Sequence, residues 1–470
     1  MFNKKSLFVL IPLLGIFGVG AVCSINFSTQ NVRSAKAEEP ATPQSDIKVK
    51  KYRRSDNFDY GVLYENNAVT TQADVETAKT EIATTIEGVD EEVDYTVTTI
   101  ELLSDSNLDY TILTEGNCFE VLLKGHTWDL AITKHWELMC EKFTLKGEEG
   151  TINAFESEDA AFEIDIENTN DGKVEITNTT FNDFYSSSSA TIDIEGNFDE
   201  DNGLNVEFAN CNFNRCESEV NGGAVSISRA FDTLFANCKF ERCSSEFGGA
   251  LFIEDILYKT IMNECTFNNC DAENGGAIFV YAGGADDETP SMFSLNDCTA
   301  TDCTADCGGF AYVEDEGIHF CSLDNDTIIT DCDATSFGGG IYVGESRINV
   351  EGFTFENCTS ENGGGVYVDG VSNSVIESTF KGCEVLEDGS AIYSINDLCT
   401  DGNEYLDDAG EYIDESKAVY IKTAIKPIAR ETASYNYTPI WIMGSLVLAT
   451  LIASIALIII LIKKGKIAIK

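Results

Sequence analysis

Between residues 211 and 390, apolar and polar positions alternate in short runs, and no helical period crosses them. Ala224-Val225-Ser226-Ile227, Ala250-Leu251-Phe252-Ile253, Ala277-Ile278-Phe279-Val280, Gly340-Ile341-Tyr342-Val343 and Gly365-Val366-Tyr367-Val368 each follow a glycine or glycine pair. Period-two runs of Val, Ile, Phe and Tyr bounded by Gly or Asn predict short strands. A second strand carries Cys-x-Phe-x-x-Cys, as in Cys211 to Cys216 and Cys238 to Cys243. Upstream, Val75, Ala78, Ile82 and Ile86 recur at helical spacing and predict one short amphipathic helix.

The strand pattern repeats. The second cysteine falls at Cys216, Cys243, Cys270, Cys303, Cys332, Cys358 and Cys383, mostly about 25 to 29 residues apart, a period that marks a repeat array. Each repeat is too small to bury its own apolar face, so neighbours must stack. One repeat cut by two or three turns suits one coil of a parallel β-helix, with each strand bonded to its copy a coil away at roughly 4.8 Å. Phe213, Phe240, Phe267, Phe355 and Phe380 then fill one internal column. The glycine pair marks a sharp turn, because glycine enters positive φ without steric cost. Weaker copies run upstream: Asn178 to Phe184 aligns with Asn210 to Cys216, with Phe184 at the cysteine position, and Phe143 to Ile152 reads as an early coil.

These observations predict an all-β, right-handed parallel β-helix over residues 112–395, strongest from 210, with roughly eleven coils and a length near 50 Å. Residues 38–111 read as a polar lead-in and an N-terminal cap containing the helix, and 396–439 as a juxtamembrane stalk. The two ends add a membrane. Lys4 and Lys5 precede an apolar run from Leu7 to Val22, the layout of a secretory signal over 1–37, with an uncleaved anchor as the alternative. Residues 440–462 are apolar over a bilayer-spanning length. Tyr437 and Trp441 mark the outer edge of that run, and Lys463, Lys464, Lys466 and Lys470 follow it, placing a short tail at 463–470 in the cytosol.

The layout Phe-x-x-Asn, a small residue, then Gly-Gly-Ala and an aliphatic residue is the repeat signature of the chlamydial polymorphic membrane proteins and of protist surface proteins that share it. Phe267 to Ile278 resembles it closely, except that Cys270 stands where that family usually has Asn, and all seven copies share the exchange. Lys146-Gly147-Glu148-Glu149-Gly150 is similar to runs near the start of pectin-lyase-like β-helices. Bacterial members carry a C-terminal β-barrel where this chain has an apolar run, so the resemblance points to a helix-anchored protist relative. It implies a non-catalytic type I cell-surface protein for adhesion to host cells or matrix, or for antigenic display.

Charge narrows the partners. With 80 acidic and 30 basic residues the net charge is −50, which makes nucleic acid a poor partner because binding there needs Lys and Arg against phosphate. Acidic residues after the Gly-Gly strands (Glu254, Asp255, Asp286, Asp287, Glu314, Asp315, Glu316, Glu345, Asp369) predict a stripe that is a candidate for weak Ca²⁺ binding and otherwise a solubilising surface. No other cofactor is indicated.

Two insertions break the period, 282–290 and 314–326, and loops on a rigid scaffold make contact surfaces. Asp286, Asp287, Glu288, Glu314, Asp315 and Glu316 are the candidate contacts, with a host protein or glycan as partner. The alternative is a membrane-anchored polysaccharide lyase or hydrolase, whose chemistry needs paired carboxylates in a groove. His126, His135 and His319 are far apart, and no hydrolase, metalloprotease or phosphate-loop motif is present.

Seventeen cysteines in an exported chain favour some disulfides. Residues five apart on a strand are too far to bridge, and stacked neighbours bridge only with strain. Part of the column is therefore expected as buried thiols. Cys118 and Cys140, about one coil apart, are a candidate disulfide pair; with His126 and His135 they are a weaker zinc candidate. Asn178, Asn325 and Asn436 are candidate glycan sites, while Asn357, beside Cys358, is expected to be blocked by burial.

Overall fold

A computed structural model describes residues 42–422, apart from 56–58, 91–92, 131–135, 155–161, 167–171, 197–202, 282–290, 315–316, 324, 345–346 and 389–390. The described chain is an all-β parallel solenoid of about ten turns with few helices. Its strands form three faces: face one of 22 strands, face two of 8 and face three of 11.

One coil shows how the sequence bends the chain. Leu204–Ala209 and Asn212–Asn214 lie on face one, Glu217–Ser218 on face two and Val225–Ser228 on face three. Left-handed residues punctuate them: Asn210 (φ 54°), Arg215 (φ 52°) and Gly222 (φ 52°). The same corners recur at Asn237, Arg242 and Gly248 and at Glu264, Asn269 and Gly275. At Gly275 glycine is required twice over, by its φ of 67° and because a Cβ there would collide with the Ile278 carbonyl. The other two corners carry ordinary residues in the αL region at a modest cost in strain.

Inside, identical positions stack. Phe181, Phe213, Phe240 and Phe267 lie face to face at 4.9, 5.2 and 4.9 Å, and Phe355 and Phe380 at 4.8 Å. The expected phenylalanine column exists, but Ala300 and Ile329 occupy its two middle places. Volume is conserved by exchange with the residue after the glycine pair. That place holds Ala277 beside the phenylalanine coils, but Phe310 where Ala300 leaves room, edge-on to Phe267 at 5.6 Å. In later coils it shrinks to glycine, because a Cβ on Gly340 would lie 2.5 Å from the Phe355 ring. Close packing favours such volume-conserving exchanges.

The ends depart from expectation. The segment read as a polar lead-in contains β1 (Ser45–Arg53) and β2 (Asp59–Val69), and β3 (Asp94–Leu102) follows α1 (Gln72–Ile86). β1 pairs antiparallel with both β2 and β3, and β3 passes the register to the parallel stack through Cys118–Leu122. The alternation was masked because Lys48 and Lys50 stand on outward positions of β1, while Thr96 and Thr98 take buried positions of β3 where an apolar residue is expected. α1 forms as expected, closed by a Thr71–Asp74 capping box, with Val75, Ala78 and Ile82 buried and Ile86 partly so.

At the other end the stack continues past Ile395. Glu404–Leu406 pairs with Thr379–Lys381, and Val419–Ile421 pairs with Ile392–Ser394. Much of the segment read as a stalk is thus another coil, lacking the cysteine and glycine-pair lettering because Tyr405 and Tyr420 take the stacking positions. Among the described residues no helix is long and apolar enough to cross a membrane. The apolar runs at 7–22 and 440–462 lie outside the described residues.

Candidate interaction surface

Outward positions of the stack form rows as regular as the core. On face two, Glu217, Ser244, Asp271, Thr304, Asp333, Thr359 and Glu384 follow one another coil by coil. Thr304 donates to Asp271 and Thr359 to Asp333, so hydroxyls separate several of the carboxylates. On face one, asparagine amides link coils: Asn182 donates to Asn153 at 2.9 Å and Asn214 to Asn182 at 2.7 Å.

Face three carries the most distinctive row. Its central column runs Glu137, Glu163, Asp193, Ser226, Phe252, Phe279, Tyr312, Tyr342, Tyr367, Tyr393 and Tyr420 in register. From Phe252 onward successive rings stack at 5.4, 4.9, 4.5, 5.3, 5.2 and 5.0 Å. Flanking Ile and Val point inward, so these rings occupy the outer side, but each covers its neighbour's face: Phe252, Phe279, Tyr367 and Tyr393 show only a narrow edge, 6–8 % exposed, and Tyr312 and Tyr342 somewhat more. Phe247 and Phe337 wall one side, Phe337 lying 4.5 Å from Tyr367. Burial, with the carboxylates of Glu314 and Asp369 nearby, pushes the Tyr312 phenol up; burial and Tyr312 do the same to Tyr342. This ladder was legible as an aromatic at the centre of each post-glycine run, but alternation alone does not show that those residues share one outer column.

At the carboxylate end of the same column, burial pushes the half-buried Asp193 up to about 6; the Ser226 hydroxyl opposes this, and Glu163, Glu195 and Asp165 reinforce it.

Of the residues singled out by sequence, Glu314 ends strand Ala311–Glu314 on face three, two positions from Tyr312. Asp286, Asp287, Glu288, Asp315 and Glu316 lie outside the described residues. The two insertions do leave from paired positions, since Tyr281 pairs with Glu314 and Ser291 with Ile318. The acidic stripe is interrupted, because Tyr281 sits between Glu254 and Glu314, and Gly344 between Glu314 and Asp369. Among the described residues no group of three or more His, Cys, Asp or Glu converges as a metal site. His319 pairs with Glu351 at 2.9 Å.

Asn178 and Asn325 are exposed, and Asn436 lies outside the described residues. Asn357 is exposed too, which corrects the expectation of burial: it occupies a left-handed corner (φ 53°) that turns its side chain outward while Cys358 turns in.

The cysteines form two inner columns, Cys211, Cys238, Cys265 and Cys298, and Cys216 through Cys383. None of the sixteen described cysteines is in a disulfide, Cys118 and Cys140 among them, and both of these are buried. Cys238 donates to the Phe208 carbonyl of the preceding coil at 3.5 Å, and Cys265 to Phe235 at 3.6 Å. Burial holds the Cys211, Cys243, Cys332 and Cys358 thiols well above their ordinary range and pushes Cys118 up to about 12. Cysteine serves here as a small apolar residue with a weak donor for a carbonyl.

No protein-family model matches this chain, and no curated protein or solved structure matches it either.

Proposed function

We propose that this chain is a non-catalytic cell-surface rod: a right-handed coil exported by its N-terminal segment, capped by the α1 region, anchored through 440–462 and presenting its faces for adhesion or antigenic display. The observation that carries this reading is the outer rows, each keeping one register over many coils, notably the carboxylate and threonine row of face two. A stacked rod offers such a repetitive surface at little entropic cost on binding. The resemblance to polymorphic membrane protein repeats supports the same reading, and its candidate contacts are the insertion at 282–290 with Glu314, Asp315 and Glu316; the remainder of 314–326 is not one loop, because Ile318–Cys321 is a strand of face one. Weak Ca²⁺ association with the acidic surface belongs to it as well.

Asp193 supports a second reading, a polysaccharide lyase or hydrolase. A carboxyl near 6 beside other carboxylates is placed to exchange protons near neutral pH.

One experiment separates the two. Full-length protein displayed on cells is offered host-type cells and neutral and acidic polysaccharides with Ca²⁺ present, and retention and released sugar are recorded together. Saturable retention without sugar release is expected. Sugar release that Asp193→Asn abolishes would replace display with catalysis.

A further inference from the structure

Beside the tyrosine ladder, the flanking column of face three alternates. It reads Glu195, Ser228, Glu254, Tyr281, Glu314, Gly344 and Asp369 in register, so a carboxylate stands on every second coil. Two coils span about 9.6 Å. A polyproline II chain repeats every three residues, about 9.3 Å. Such a chain lying along the rod axis, with a basic residue at every third place, meets a carboxylate at each repeat without running out of register.

The neighbouring column supplies the rest of the contact. Polyproline II has no internal hydrogen bonds, so its carbonyls are free to accept; the ladder presents phenol hydroxyls from Tyr312 and Tyr367 along the same axis, while Tyr342 donates to the Asp369 carboxylate at 3.4 Å and holds it in the track. Ring edges walled by Phe337 give the aromatic trough such chains dock into. Gly344 keeps the trough open at its centre. A Cβ there would come within 3.3 Å of the Tyr342 ring and 3.5 Å of the Tyr312 hydroxyl. Sugar stacking fits less well, because each ring face is taken by the next ring.

From these two columns we propose that face three between Phe252 and Tyr393 is a docking track for a basic polyproline II segment of a partner protein, aligned with the solenoid axis. This deepens the display reading by naming a partner class, and rests on it only for where the partner is met.

The test uses purified full-length protein and a peptide of repeating Pro-Pro-Arg, with a Gly-Ser-Arg repeat of equal charge as control. The track predicts saturable binding at least about tenfold tighter for the polyproline II peptide. Tyr312→Phe with Tyr367→Phe keeps the stack but removes two donors and should weaken binding about tenfold. Gly344→Leu should weaken it at least as much, with the melting temperature of all variants unchanged. Equal binding of the two peptides, no binding, or binding indifferent to both sets of substitutions would each overturn the proposal. None of these outcomes bears on surface location, which labelling of intact cells reads separately.

Discussion

The central column of face three holds carboxylates at one end and aromatic rings at the other, on the same backbone and in the same register. At the acidic end burial, reinforced by the like charge of Glu163 one coil away, pushes the Asp193 carboxyl up to about 6. At the aromatic end the same spacing brings rings to 4.5–5.4 Å, where each covers the next. The solenoid fixes spacing and leaves chemistry free on the outside. Inside it does not: Ala300 requires Phe310, and Phe355 requires Gly340.

The inner exchange should produce the largest effect. Phe310→Ala leaves a cavity beside Ala300 and should cost about 4 kcal/mol in urea unfolding. Adding Ala300→Phe restores the phenylalanine column and should recover about half of that loss; a strictly additive double mutant would contradict the exchange. Next, Tyr342→Asp brings the acidic end's chemistry into the aromatic stack, against Asp369 and Glu314. It should cost about 3 kcal/mol at pH 7, less at pH 4, where the new carboxyl is protonated.

The converse change is smaller and of opposite sign. Asp193 binds its proton up to about 6 in the folded chain against 3.8 in the unfolded one, so between those values the folded state holds more protons. Its stability contribution is therefore full below pH 3.8 and declines as pH rises to 6. Asp193→Asn should flatten that slope and raise stability at pH 7 by about 2 kcal/mol, read from melting curves across pH 3.5–7. Smallest of all, Tyr367→Phe keeps ring and stack and should change stability by less than about 0.5 kcal/mol.

Much of this fold was legible. The cysteine and glycine lettering made the period, the glycine corner and the inner phenylalanine column readable, because those positions admit few residue types; the other two corners, at residues such as Asn210 and Arg215, carried no such signal. Three things were not. The last coil lost its lettering once Tyr405 and Tyr420 replaced the usual residues. β1 hid because lysines surround its inner Ile47 and Val49, and β3 because two of its inner positions, Thr96 and Thr98, are polar. The tyrosine ladder was visible residue by residue but not as a column, because an outer column exists only once neighbouring coils are set in register. Asn357 was misplaced because its corner turns outward immediately before a buried cysteine.

The left-handed corners have an evolutionary consequence. Because Arg215, Arg242 and Asn269 bend successive coils alike, an in-frame duplication or deletion from one corner to the next rejoins equivalent backbone and creates no foreign junction. Rod length can then change by whole steps of about 4.8 Å, letting a lineage lengthen or shorten its repeated outer rows without inventing a new backbone contact.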